Sequence, residues 1–528
     1  MNKQLLSAVI GSVMMMGTAN AALPTIDPDT TEVYLSGASA SLDFIKKLIT
    51  SSAVPAQDRI CDAAQPIWTF QDTIDAKTQH AFYCTKASGN SKLANAKSHL
   101  LIYKRSEGGS AMGVNPLVNN EGMSFLRVKG NPSCAQVGTS TTVNCGYDKT
   151  LQDATKFNGP VAADFGMSDV DPVQFTGENT PDGFSAVTAD DVSKLTVQGA
   201  SVVVFGQPVT ISLYKALQAA QKFTGKIAST CAIGDRANQA CMPSLTSAQI
   251  ASLHAGSWAS WNSLKVGTTG KGLATWVAEN SDPAISALAP AVSDVHVCRR
   301  VNGSGTQAQS NLVFLNYPCA NASSATLAAH DFGTNEGDGF PLIHELSASG
   351  GVDACLNELN TGVDTAGNDD FDNTAYAGGT RWAVGIQSLE KGMSSTGVAN
   401  SNYEFVKVDG VAPTLANVVN GSYKDWVENT FQFNSDKYNN QMTPDVKSVV
   451  DAVIYSSALP EVMAALNSGF VHGFGTGSFL AVPTLFAPEA NGALNTARPV
   501  SPYSRATASA SVENCRVPTI YSSGDSSL

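Results

Sequence analysis

One segment of the chain combines the residue types that bind oxyanions. Arg300 to Thr306 reads Arg-Val-Asn-Gly-Ser-Gly-Thr, which places a guanidinium just before small hydroxyl and glycine residues. A guanidinium makes charge-assisted, often bidentate hydrogen bonds to an oxyanion. Glycine lets backbone N–H groups approach the anion closely, and hydroxyls add uncharged donors. The segment predicts an anion-binding loop, although an isolated Gly-Ser-Gly is also typical of an ordinary turn.

Three further loops have a similar character. Leu35 to Leu42 is rich in Gly, Ala and Ser, Arg105 to Gly109 contains Ser106, and Asp164 to Asp169 reads Asp-Phe-Gly-Met-Ser-Asp. The carboxylate of Asp169 could accept a proton from a hydrogen-bearing oxyanion, or it could simply cap a helix or turn. Together the loops predict one small-anion site built from several parts of the chain.

The loops must be positioned by the segments around them. Strand-like segments at Glu32 to Leu35, Leu100 to Tyr103 and Val295 to Val297 each run into one of the loops, and helix-like segments follow at Leu42 to Ile49 and Gln307 to Leu315. Alternating strands and helices predict an α/β fold with sheets flanked by helices. In such folds, ligands gather outside the carboxyl ends of strands, where helix N-termini present unpaired N–H groups.

Length and charge limit the function classes. A chain of 528 residues is long for one core, so we expect two domains, with a further strand at Ser201 to Phe205 and an amphipathic segment at Leu213 to Ala220. The net charge of −13 argues against nucleic acid or an anionic membrane as a partner, because both need concentrated Lys and Arg. No later stretch has the roughly 20 apolar residues of a membrane span, so direct membrane insertion is not expected.

The beginning of the chain has the pattern of a cleavable signal peptide over residues 1–21. Lys3 supplies a positive start, Leu5 to Met16 an apolar core, and Ala19-Asn20-Ala21 a small-x-small cleavage site. Cleavage would expose Ala22 and not a cysteine, so no N-terminal lipid anchor is expected. The predicted location is therefore the periplasm or the exterior.

Ten cysteines, an even number, are typical of a disulfide-bonded exported protein, although some could instead be free buried thiols. Near neighbours in sequence predict the pairs Cys61–Cys84, Cys134–Cys145 and Cys231–Cys241. The other four cysteines allow three connectivities. Of these we expect Cys319–Cys355 with Cys298–Cys515.

The loops resemble those of the phosphate-binding proteins that serve phosphate ABC transporters, within the periplasmic solute-binding proteins. Arg300 to Thr306 is similar to that family's Arg-x-Asp-Gly-Ser-Gly-Thr phosphate loop, and Asp164 to Asp169 to its Phe-Gly-x-Ser-Asp segment. The resemblance implies a two-lobed, type II α/β architecture whose hinge is crossed twice. It places residues 22–200 and 397–528 in the first lobe and 201–396 in the second.

Carried over residue by residue, the resemblance implies a phosphate site of nine residues: Ser41, Leu42, Ser106, Asp169, Arg300, Asn302, Ser304, Gly305 and Thr306. Ser110 is an alternative to Ser106. Asn302 departs from the family pattern, which has a second acid there, and an amide donates as well as accepts. The resemblance implies phosphate or a similar oxyanion as ligand, an inner-membrane ABC permease as partner, and no cofactor.

Other functions have weaker support in the sequence. We find no Gly-x-Ser-x-Gly elbow, His-Glu-x-x-His pair or Gly-Lys-Ser/Thr loop, so no catalytic residues or metal ligands are assigned and an exported phosphatase is the less favoured alternative. Asp364 to Asn373 is acidic but lacks a complete calcium-loop spacing. The glycine run Gly473 to Gly477 has no dinucleotide-binding context. A secreted interaction protein that keeps the lobed fold without transport is the main alternative.

Overall fold

The computed structural model describes residues 23–73, 78–147, 160–320, 326–330, 335–364, 371, 376, 378–392, 402–489, 492–507 and 511–521. The predicted signal peptide and most of the acidic loop Asp364 to Asn373 lie outside the described residues.

The strands in chain order are β1 Thr30–Gly37, β2 Trp68–Asp72, β3 Gln79–Thr85, β4 His99–Arg105, β5 Gly122–Met123, β6 Ala135–Gln136, β7 Thr142–Cys145, β8 Val161–Ala162, β9 Phe165–Ser168, β10 Leu195–Thr210, β11 Ser244–Leu245, β12 His296–Arg300, β13 Leu342–Leu346, β14 Ala383–Gly385, β15 Gln387–Ser388, β16 Tyr403–Val408, β17 Trp426–Asn434, β18 Val471–His472, β19 Gly475–Thr476, β20 Phe479–Ala481, β21 Tyr503–Ser504 and β22 Thr519–Ile520. The α-helices are α1 Leu42–Thr50, α2 Asn115–Val118, α3 Ala189–Ser193, α4 Ile211–Phe223, α5 Ser247–His254, α6 Leu273–Ala278, α7 Pro283–Ser286, α8 Gly305–Leu315, α9 Ser349–Thr361, α10 Leu415–Val419, α11 Pro444–Ala458 and α12 Pro460–Asn467.

A large mixed sheet, with the strand order β13-β12-β14-β10-β17-β9-β1-β4-β3-β2-β7-β6, organises the described chain. Two parallel groups lie within it. β1 is parallel to both β4 and β9, and β12 is parallel to both β13 and β14. Helices pack against this sheet, so the predicted α/β class with a mixed sheet flanked by helices is confirmed.

β10 connects the two parallel groups. Its residues 195–204 pair with β17, while residues 205–210 pair with β14, β15 and β16. The β-branched run Val202-Val203-Val204 is fully buried, as expected of a central strand. β16 follows residue 397 in the chain and pairs with the second half of β10. The lobe boundaries themselves stay a prediction.

Local sequence determines the helices that begin directly after the predicted loops. Helix α1 buries Phe44, Ile45, Leu48 and Ile49, a spacing that forms one apolar face. The Ser304 hydroxyl caps α8 by accepting a hydrogen bond from the Gln307 N–H at 3.4 Å. Residue Asn316, in the left-handed region at φ 57°, ends that helix.

Buried apolar residues hold the sheet and helices together. The largest cluster joins α1, α11 and α12 to the β1–β4–β9 face through residues such as Phe44, Val453, Met463 and Phe479. A second cluster packs α4 and α6 against β12 and β14, and includes Trp261 and Trp382. Each fully buried large apolar side chain stabilises the fold by roughly 1.5–3 kcal/mol.

Five disulfides join the ten cysteines. The three predicted near-neighbour pairs, Cys61–Cys84, Cys134–Cys145 and Cys231–Cys241, are confirmed. The predicted pairing of the other four is wrong, because the bonds are Cys298–Cys355 and Cys319–Cys515. Cys298 lies in β12 and Cys355 in α9, and these elements are in contact. That proximity follows from sheet topology, which spacing along the chain does not show.

Within the described residues, no single helix is both long and apolar enough to cross a membrane. In the described part of the chain, α11 and α12 together are the one pair that reaches that length and composition, with a bend of 69° between them. Most of their apolar residues are buried in the core.

Candidate anion-binding site

The predicted loops meet because parallel strands place their carboxyl ends at the same sheet edge. On one side, β1, β4 and β9 run in parallel into the loops that contain Ser39, Ser106 and Asp169. On the other side, β12 ends at Arg300, and the parallel β13 leads into Ser349 at the start of α9. Side chains from five strand ends can therefore converge on one place.

Arg300 joins the two sides. It is fully buried, and its Nη1 donates to the Ser39 hydroxyl at 2.7 Å and to the Ser349 hydroxyl at 3.3 Å. Its Nε donates to the Leu346 carbonyl at 3.0 Å and its Nη2 to the Ser347 carbonyl at 2.7 Å. This fork fixes the guanidinium plane, so its charge is presented in one orientation.

A second buried cation is Lys104 in β4, and its charge acts on Asp169 as that of Arg300 does. The ammonium donates to the carbonyls of Gly37, Ala38 and Arg105 and to the Ser106 hydroxyl, at 2.9–3.0 Å. Burial lowers the pKa of Lys104 to about 7, and the nearby Asp169 charge opposes that shift. Neutral acceptors orient the ammonium, and a bound anion would favour its charged form.

Asp169 is the acid of the site. Its Oδ2 accepts from the Ser110 hydroxyl at 3.2 Å and from the Thr306 hydroxyl at 3.4 Å, while its buried Oδ1 has no hydrogen-bond partner among the described residues. Burial raises the pKa of Asp169 to about 6, against the opposing effect of the Arg300 charge. The carboxyl can therefore gain or lose a proton near neutral pH.

The loop after β12 approaches the loop after β4 very closely. The Ala111 N–H donates to the Gly303 carbonyl at 2.8 Å. A Cβ atom on Gly305 would lie 2.2 Å from the Ser110 Oγ and 2.8 Å from the Asp169 Cβ. Glycine is therefore required at 305 for this approach.

Two residues of the predicted phosphate loop have other partners. Ser304, which is buried, is the N-cap of α8. Asn302 is half-buried, and its Oδ1 accepts from the Arg299 Nη2 at 3.1 Å. The structure thus brings Arg300, Gly305 and Thr306 together with Asp169, and turns Asn302 toward Arg299.

The start of α1 also has a partner within the chain. The N–H groups of Asp43 and Phe44 donate to the Glu390 carboxylate at 3.1 and 3.0 Å. The Leu42 N–H donates to the Ser39 carbonyl at 3.3 Å. Only the buried Ser41 hydroxyl, which has no partner in the described part of the chain, remains available here.

A cavity of about 120 Å³ lies between the two groups of loops. It is lined by Ser39, Leu42, Asp43, Lys46, Thr78, His80, Ser106, Ala348, Ser349, Gly350 and Lys391. The first turn of α9 contributes Ser349 and Gly350, so the positive end of this helix adjoins the cavity. Three lining serines, Ser39, Ser106 and Ser349, are bonded by Arg300 or Lys104, so a small oxyanion in the cavity would meet hydroxyls with the two buried cations behind them.

The sequence reasoning missed three of these residues, Ser39, Lys104 and Ser349. Ser349 had a usable signal, because Ser-Ala-Ser-Gly-Gly at 347–351 follows a strand and opens a helix, as the other loops do. Lys104 had none, since a lone lysine in a strand is ordinarily exposed. Ser110, the alternative to Ser106, bonds Asp169, whereas Ser106 bonds Lys104.

Comparisons with known proteins find only remote structural similarities to this chain. No family model matches it, and no curated protein matches it. Among solved structures, a protein from Clostridium perfringens described as a phosphate ABC transporter substrate-binding protein with bound phosphate aligns with a TM-score of 0.36 and 14% identity, over 80% of this chain and 93% of that one. An ABC-type phosphate transport receptor from Vibrio cholerae aligns with a TM-score of 0.27 and 11% identity, over 60% and 86% of the chains. Likenesses this remote carry no argument about function.

Proposed function

We propose that this protein is an exported solute-binding protein that captures inorganic phosphate between two α/β lobes. The observation that carries the proposal is the convergence of two buried cations, Arg300 and Lys104, with serine hydroxyls at one sheet edge beside a small polar cavity. Burying positive charge is costly, and a bound anion offsets that cost.

Asp169 would select among anions. Its acceptor oxygen favours a ligand that carries a hydrogen, such as hydrogen phosphate, and disfavours sulfate, which is fully ionised. Ser110 and Thr306 hold the carboxylate in place, so its position does not depend on the ligand.

The two lobes would close on the ligand about a hinge that the chain crosses twice. The first lobe comprises residues 22–200 and 397–528, and the second comprises residues 201–396. Arg300 comes from the second lobe, whereas Ser39, Lys104 and Asp169 come from the first. An anion that contacts both groups binds the closed arrangement preferentially and shifts the population toward it. Delivery to an inner-membrane ABC permease from the periplasm is the role we propose for this closure.

Equilibrium dialysis of the mature protein against radiolabelled phosphate tests the function. We expect saturable binding of one phosphate per chain, displaced by arsenate and not by sulfate. Displacement by sulfate at the same concentration as phosphate would contradict the assigned role of Asp169. Absence of saturable binding by a folded sample would contradict the function itself.

A second candidate, an exported interaction protein with the lobed fold, is favoured by the protein acceptors that Arg300 already has. In that role Arg300 would join the lobes as a structural element. Small-angle scattering separates the two candidates: a transport-type receptor should become more compact with phosphate, and a fixed scaffold should keep its radius of gyration.

A further inference from the structure

A second, larger cavity lies in the region of α4, β11 and β16. Its volume is about 650 Å³, within the range of roughly 300–1,000 Å³ that is typical of organic-ligand sites. None of its lining residues belongs to the candidate anion-binding site. The two cavities are therefore separate in space.

The floor of this cavity is apolar. Leu217, Leu245, Val266 and Leu273 line it, and each has at most 3% of its surface exposed. An apolar floor beneath an open volume of this size fits a hydrocarbon or aromatic body better than it fits a small hydrated ion.

Three lysines, Lys226, Lys265 and Lys407, also line the cavity. Among the described residues, none of their ammonium groups has an ion pair or a hydrogen bond, whereas other lysines of the chain pair with acids, as Lys271 does with Glu279 at 2.7 Å. Three unpaired cations around one cavity are notable in a chain with a net charge of −13.

Lys407 is half-buried, and burial lowers its pKa with no opposing charge. Asp409 also lines the cavity, but its carboxylate accepts hydrogen bonds from the N–H and the hydroxyl of Ser247 and does not pair with Lys407. Lys407 is therefore a partly desolvated cation that forms no ion pair with any described residue.

The other polar groups of the lining are already used. The Gln221 side chain bonds both the N–H and the carbonyl of Ser244, and Thr246 with Gln249 forms the capping box of α5. Among the described lining residues, the three ammonium groups and the Asp409 carboxylate are the charged groups left near a bound ligand.

From this arrangement we infer that the cavity is a binding site for an amphipathic organic anion, with an apolar or aromatic body on the leucine floor and an acidic headgroup between Lys226, Lys265 and Lys407. Carboxylate and phosphate headgroups share this chemistry.

Fluorescence titration with 8-anilinonaphthalene-1-sulfonate, an aromatic sulfonate, tests the inference on the full mature chain. The double variant Lys226→Gln/Lys407→Gln should bind the probe at least tenfold more weakly than the wild type. The control Lys215→Gln/Lys424→Gln changes the net charge equally at two lysines outside the cavity, and should bind within twofold of the wild type. Unchanged binding by Lys226→Gln/Lys407→Gln, or an equal loss in the control, would overturn the inference.

Competition identifies the headgroup. Decanoate and decyl phosphate should displace the probe, and their relative potency shows which acidic group the lysines prefer. Inorganic phosphate should not displace it, because it lacks the apolar body. Failure of both amphipathic anions to displace the probe would overturn the assignment. Phosphate binding at Arg300 should be the same in Lys226→Gln/Lys407→Gln as in the wild type.

Discussion

The Nη1 atom of Arg300, the last residue of β12, lies 2.7 Å from the hydroxyl oxygen of Ser39 in the loop after β1. These residues are 261 positions apart, and their contact joins the two parallel strand groups at the site. A change in either residue should therefore affect both anion binding and the arrangement of the two groups.

Replacement of Arg300 tests the main cationic contact. Arg300→Ala should weaken phosphate binding by about 3 kcal/mol, or roughly a hundredfold, because a buried charged partner is lost. Arg300→Lys, which keeps the charge but loses the fork, should be intermediate. Calorimetry gives the affinities, and circular dichroism checks the fold. Arg498→Ala, at a partly exposed arginine that pairs with Glu461, is the control and should bind phosphate as the wild type does.

Asp169→Asn tests anion selection. At pH 8 the wild-type carboxyl is ionised, since its pKa is raised only to about 6, and it repels sulfate. The amide removes that repulsion and can donate, so sulfate affinity should rise at least tenfold. In the wild type, sulfate should bind better as the pH falls through about 6. Equal sulfate affinity in both proteins at pH 8 would remove Asp169 from the selection mechanism.

Lys104 should make both stability and binding pH-dependent. The pKa of Lys104 in the folded protein is about 7, below the usual lysine value of 10.5, so between these values the unfolded chain binds more protons than the folded chain. Because of Lys104, the free energy of unfolding should therefore increase as the pH rises through this window. Phosphate affinity should fall over the same range, as the ammonium loses its proton. Lys104→Met should remove both trends in urea unfolding and calorimetry at pH 6.5 and 9.

The corrected disulfide pairing has its own test. The Cys298–Cys355 bond closes a span of 57 residues, so Cys298→Ala/Cys355→Ala should lower the free energy of unfolding by about 2–4 kcal/mol. Denaturant titration measures this loss. Non-reducing peptide mapping should recover a peptide pair that contains Cys319 and Cys515, and a pair that joins Cys319 to Cys355 would contradict the structure.

His330 forms a second, weaker polar contact between the two proposed lobes. Its Nε2 lies 2.8 Å from the Glu178 carboxylate and its Nδ1 lies 2.9 Å from the Glu345 carboxylate. All three side chains are about a third exposed, so solvent screening limits the stabilisation from these contacts to roughly 0.5–1 kcal/mol. His330→Ala should speed phosphate release about two- to fivefold in stopped-flow experiments, whereas His99→Ala, far from this contact, should not.

Local sequence was enough for the elements that carry the loops. The predicted helix Leu42 to Ile49 is Leu42–Thr50, and the predicted helix Gln307 to Leu315 is Gly305–Leu315. Apolar spacing and capping residues determine such helices over a few positions. β10 was only partly predicted, because Ser201 to Phe205 is the central part of a 16-residue strand whose ends depend on partners from both strand groups.

The site could be predicted only in part, for a related reason. Arg300 and Asp169 stand in recognisable loops, whereas the contacts of Ser349 with Arg300 and of Glu390 with α1 depend on sheet order. The cavity formed by Lys226, Lys265 and Lys407 likewise draws on segments about 180 residues apart that no local pattern connects.

Calorimetric titration of the mature protein, refolded free of ligand with its disulfides intact, tests phosphate capture at Arg300 most directly. The proposed function predicts one phosphate per chain with micromolar or tighter affinity, no heat from sulfate at pH 8, and a loss of roughly a hundredfold in Arg300→Ala. A folded wild-type sample that gives no heat of binding with phosphate, or an Arg300→Ala variant that binds phosphate as tightly as the wild type, would contradict this account.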